Sequence, residues 1–113
     1  MTSRIETYWI LDGHKPVPVG HQRWLDWMMS VPETIAGFNR LKRVGRRVNV
    51  GEAQVSTVFL SVDHQWGSGP PLLFETMIFG GDHDGWQDRY STWDEAAAGH
   101  KRVVTALREG REP

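Results

Sequence analysis

Residues 54–63, QVSTVFLSVD, and residues 72–79, LLFETMIF, decide the fold of this chain. Both are short, rich in β-branched and aromatic residues and bounded by turn formers, which is the composition of buried strands. Between them lies HQWGSGPP, whose Gly and Pro residues break any helix and suit a loop that returns the chain antiparallel to itself. Strand parity places Thr57, Phe59, Ser61 and Asp63 on one face, and Val58, Leu60, Val62 and His64 on the other. In the second strand Leu73, Glu75, Met77 and Phe79 share a face opposite Leu72, Phe74, Thr76 and Ile78.

Working outward, Thr92 with Glu95 three residues on predicts a capping box, and Asp94 adds favourable negative charge to the first turn of a helix. Trp93, Ala96, Ala97, His100, Val103, Val104 and Leu107 then recur on one face, with Lys101, Arg102 and Arg108 elsewhere, until Gly110 ends the helix. Toward the N-terminus, Thr7–Leu11 reads as a strand stopped by Asp12-Gly13, and HKPVPVG is excluded from helix by Pro16 and Pro18. His21, Trp24, Leu25 and Met28 predict a short amphipathic helix over about 20–29, residues 33–43 read as loop, and 46–52 alternates like a half-exposed strand. The expected fold is α+β: a single domain over 1–113, in the order β-α-β-β-β-α, with an antiparallel sheet of three to four strands and two helices on one face.

A chain of 113 residues is one ordinary domain, and no apolar run reaches the length of about 20 residues that a membrane span needs. The N-terminal residues lack a secretory leader pattern, so the expected location is cytoplasmic. With Cys absent, disulfides, thiolate catalysis and Cys-based zinc sites are excluded. The net charge of −1 disfavours a nucleic-acid coat, although Arg40, Lys42, Arg43, Arg46 and Arg47 form a basic run that reads either as a phosphate contact or as a solvated strand edge.

The blocks VSTVFL-x-V-DH, GPPLLFETMIFGG and RYSTWDEAAAGH, with YWILDGHKPVPV in front, resemble a family of small bacteriophage and prophage proteins. The resemblance covers most of the chain apart from residues 30–52 and lends no catalytic residue. What it implies is an accessory phage protein in the bacterial host cytoplasm, one used against host defence.

Four residues are candidates for chemistry. Glu75, mid-strand among large apolar neighbours, must be paired, hydrogen-bonded or neutralised if buried; it reads as a general base, a ligand contact, or a residue of a wet sheet face. His100 lies on the apolar face of the last helix and needs a partner, for which Glu75 and Asp63 are the candidates; the alternative is a satisfied core histidine. Asp63 and His64 stand at a loop rim, where binding residues concentrate and where an Asp also caps turns.

For ligand contacts the candidates are Trp66 in the loop, as a stacking platform, and Arg89, Tyr90, Ser91 and Thr92 before the helix, where free N–H groups suit an anion unless Thr92 caps them itself. Asp82, His83 and Asp84 fail the calcium-loop pattern because Trp86 and Trp93 fall at ligand positions, and no His pair has zinc spacing. No metal site and no cofactor are expected. No nucleophile elbow, Walker loop or dinucleotide fingerprint occurs.

These residues favour binding over catalysis. The leading expectation is a non-enzymatic binder of a small, phosphorylated, nucleotide-like ligand or of a host protein. The alternatives are a small hydrolase using a His/carboxylate pair from Asp63, His64, Glu75 and His100, and a structural or assembly protein; a homo-oligomer is compatible with each of these readings. A ligand or enzyme site requires Asp63, Glu75 and a histidine to converge on one pocket.

Overall fold

The computed structural model describes residues 8–30, 43–63 and 68–113. Two strands, β1 (Tyr8–Asp12) and β2 (Lys15–Val19), form a hairpin; helix α1 (His21–Met29) follows. Strands β3 (Val48–Val50), β4 (Ala53–Phe59), β5 (Phe74–Phe79) and β6 (Gln87–Tyr90) then make a four-stranded antiparallel sheet in sequential order, and a long helix, α2 (Trp93–Arg108), lies across it. The class is α+β, as the sequence predicts.

The two segments that decide the fold are the centre of the sheet. They pair with Val55 opposite Ile78, Thr57 opposite Thr76 and Phe59 opposite Phe74, so this alternate set points to one face and meets α2. Val55, Phe59, Phe74 and Ile78 have no exposed surface, and Val103 and Val104 of α2 pack on Val55 and Ile78. On the same face Trp27 of α1 meets the edge of the Phe59 ring at 5.9 Å, which sets both helices on one side. The capping box forms as expected: Glu95 N–H donates to Thr92 Oγ1 at 3.1 Å and Thr92 N–H to Glu95 Oε1 at 3.1 Å.

Two strands are additional to the expected order. The KPVPV segment is β2, pairing Pro16 with Leu11 and Pro18 with Trp9; proline is tolerated because this two-stranded ribbon asks for few ladder bonds from β2. The polar QDRY segment is β6, held by β5 rather than by its own propensity. Strand β4 is shorter than expected because Ser61 adopts φ 63°, breaking the alternation after Phe59. The kink lets Ser61 C=O accept from Trp9 N–H at 2.9 Å, joining the hairpin to the sheet. At the other end Gly80 has φ 83° and a Cβ there would stand 2.5 Å from Glu52 O, so only glycine lets the β5–β6 turn lie against the β3–β4 turn.

The tryptophans serve mainly the core. Trp9, Trp24, Trp27 and Trp93 belong to the cluster around Phe59 and Phe74, and Trp86 packs on the cluster of Val55 and Ile78. His14, at the hairpin tip, stacks on Trp93 with centroids 3.7 Å apart and planes 4° from parallel. No helix among the described residues is long and apolar enough to cross a membrane.

Candidate functional site

The site begins with two threonines that share the buried face of the sheet. Thr57 and Thr76 are paired across β4 and β5, are 1% and 0% exposed, and bring their hydroxyl oxygens to 2.6 Å. Tyr90, the last residue of β6, donates its hydroxyl to Thr76 Oγ1 at 3.1 Å, and Thr57 Oγ1 lies 2.7 Å from His100 Nδ1 on α2. Tyr90 fits under the helix because residue 99 is glycine: a Cβ there would collide with the phenol oxygen and ring. The result is a continuous polar line, Tyr90–Thr76–Thr57–His100, crossing the layer between sheet and helix.

The direction of that line follows from proton counting. Each hydroxyl has one proton to give. With Tyr90 donating to Thr76, the Thr76 proton goes to Thr57 and the Thr57 proton to His100 Nδ1, and every hydroxyl is satisfied. Were Nδ1 to donate instead, Thr76 would accept twice and its own proton would have no partner in this line. His100 is therefore the tautomer with its proton on Nε2.

Nε2 points nearly opposite to Nδ1, away from Thr57, and is fully enclosed; the polar group that acts on the ring besides Thr57 is the Arg46 backbone, which falls short of ideal hydrogen-bond geometry. The residue is 8% exposed and lines a cavity of about 310 Å³ between α2 and the β3 edge. Val48 and Val104 give this cavity apolar walls, Thr105 a hydroxyl, and Lys101 and Arg108 its charges; none of the residues lining it is acidic. Arg46 and Arg47 directly precede Val48 and are exposed beside it. Neither arginine lines the cavity.

Burial holds the His100 pKa below its usual 6.5, with the Arg46 backbone opposing in part, while burial raises the Tyr90 phenol above 10.0. The first shift has a consequence for stability. As pH falls below about 6.5 the unfolded chain protonates this histidine before the folded one does. The stability it permits is complete above that pH and is lost as pH falls through the folded-state value. Urea melts at about pH 7.5 and about pH 5.5 should show the gap between wild type and His100→Gln narrowing on acidification; a gap independent of pH would place the imidazole in water.

The remaining sequence-predicted residues do not converge here. Glu75 faces the opposite side of the sheet from His100 and is bound by Arg89, directly across from it, with Nε to Oε2 at 2.9 Å. Parity is as read from the sequence, but the partner of Glu75 is a cross-strand arginine and the partner of His100 is a threonine. Asp63 accepts from Leu72 N–H at 3.1 Å and closes the mouth of its loop. Ser91 and Thr92 N–H both turn to Glu95, so the start of α2 is self-capped. Tyr90 belongs to the line described above. His64, Trp66 and most of the 33–43 segment lie outside the described residues. No group of three potential metal ligands occurs among the described residues.

The residues that sequence reading missed are Thr57, Thr76, Val48, Lys101 and Arg108. Threonine at the centre of two otherwise apolar alternations, Val55-x-Thr57-x-Phe59 and Phe74-x-Thr76-x-Ile78, was the available signal. Comparison of the chain with protein-family models, curated proteins and solved structures finds no match in any of the three.

Proposed function

We propose that this chain is a non-enzymatic binding domain, and that its ligand site is the cavity between α2 and the β3 edge. One observation carries the reading: a cavity of about 310 Å³ has apolar walls from Val48 and Val104 and the charges of Lys101 and Arg108, with no acidic residue in its lining. Catalysis by a His/carboxylate pair has less support, since Asp63 and Glu75 are engaged elsewhere and no acidic residue lines this cavity. The phage resemblance supplies the setting, an accessory protein acting in the bacterial cytoplasm against host defence.

The test is amide-resonance mapping with a panel of unlike probes: adenosine, AMP, citrate and spermidine. At least one is expected to shift Val48, Val104 and Thr105 together, and Thr105→Trp, which fills the cavity from an exposed position, is expected to abolish those shifts. A panel that leaves these residues unmoved, or shifts that survive Thr105→Trp, would overturn the site.

A further inference from the structure

We infer that the buried line Tyr90–Thr76–Thr57–His100 is a proton-operated switch: a proton taken up at His100 Nδ1 reverses its three hydrogen bonds and releases the Tyr90 hydroxyl proton from Thr76.

The place of uptake follows from the geometry. Nε2 already holds a proton and is enclosed beside the Arg46 backbone, so Nδ1 is the one basic nitrogen of the ring. It lies 2.7 Å from Thr57 Oγ1, whose proton it accepts. A protonated Nδ1 can only donate, and the Thr57 proton must leave that axis. It turns to Thr76 Oγ1 at 2.6 Å, and the Thr76 proton turns to the Tyr90 oxygen at 3.1 Å. The phenol proton, displaced in its turn, needs a new acceptor. One proton from solvent has entered and none has been lost, and the end state is the same whether the hydroxyls rotate or hand protons along the line.

Both threonines keep a donor and an acceptor in either direction, so the line has two complete arrangements and the difference between them falls on Tyr90. Asp88 of β6 and Arg102 of α2, 3.7 Å apart, are the charged groups that act on the phenol, and Asp88 is the acceptor they offer its proton. The ring fills the space that Gly99 leaves in α2, so the group that changes partner stands in the seam between helix and sheet. Around His100 the charged residues are Lys101 and Arg108 of its own helix, bordering the adjoining cavity, and Arg46, which meets the ring through its backbone. Thr57 of β4 and Val48 of β3 are neutral. Burial, which the Arg46 backbone opposes in part, places the switching point below the ordinary 6.5.

The test is a nuclear magnetic resonance titration of the whole chain from about pH 7.5 to about pH 5, reading the His100 ring nitrogens and the Tyr90 Cζ carbon together. In wild type both should move with one midpoint, Nδ1 passing from the shift of a bare nitrogen to that of an N–H. Thr57→Val should uncouple them, leaving Cζ still, and Thr57→Ser should restore the coupling. Tyr90→Phe removes the oxygen that ends the reversed line and strands the Thr76 proton in the charged form alone, so the His100 midpoint should fall by about one pH unit or more.

Proton uptake at His100 with a silent Cζ, or an unchanged midpoint in Tyr90→Phe, would overturn the switch. A Cζ movement that persists in His100→Gln would belong to Asp88 and would overturn it equally. An imidazole that stays neutral until the protein unfolds, a result that needs no variant, would make the line a fixed strut.

Discussion

Replacing Phe59 by alanine is expected to remove about 3–5 kcal/mol of stability, a large share of the roughly 5–15 kcal/mol available to a domain. The ring has no exposed surface and sits where the elements meet. Trp27 of α1 touches it edge-on at 5.9 Å, and Phe74 of the next strand packs at 5.3 Å. Truncation leaves a void walled by the Trp27 indole on α1 and the Phe74 ring on β5, neither of which can collapse far. Urea unfolding should show the full loss with an unchanged slope, whereas Phe59→Leu should cost less than about 1.5 kcal/mol. A loss under about 1.5 kcal/mol for the alanine variant would mean that the helices do not share this face.

The second large effect runs against helix propensity. Gly99 lies within α2, where alanine would ordinarily gain about 1 kcal/mol. A Cβ at this position would overlap the Tyr90 hydroxyl and ring, coming within 2.6 Å of Cε1. The ring is 8% exposed and bonded to Thr76, so it cannot swing aside without breaking the polar line. Gly99→Ala should therefore destabilise by about 2–3 kcal/mol net, the overpacking cost exceeding the propensity gain. In a Tyr90→Ala background the same substitution should become neutral or stabilising, as thermal melts of the four variants would show. A destabilisation that persists without the ring would refute the steric account.

What could be read from the sequence follows how local each signal is. The capping box at Thr92 and the alternation in β4 and β5 are written within a few residues, and both appear in the structure. Strand β6 was illegible because QDRY has no strand composition; it pairs because β5 offers an edge. The Glu75–Arg89 pair and the Thr57–Thr76 contact depend on register between strands, which side-chain parity does not supply. For the same reason His100 was identifiable as a buried polar residue, while its partner was assigned to the wrong chemistry: carboxylates are conspicuous in sequence, and threonines in a strand pass as strand formers. Lys101 and Arg108 are solvent-side charges, as their place off the apolar face of the helix predicts; that they border a cavity was not legible because Val48, its other wall, comes from a distant strand.

The stack of His14 on Trp93 joins the turn of the β1–β2 hairpin to the first turn of the last helix. A ribosome delivers these groups in that order, so a nascent chain carries the β1–β2 hairpin and its aromatic residues long before their seat exists. The hairpin alone is too small to be stable in water; α1, made next, packs on it, but its stack with the last helix forms only once residue 93 has emerged. Completion of this fold thus depends on the closure of distant segments, and a chain interrupted before residue 93 leaves open the part of the hairpin that Trp93 covers.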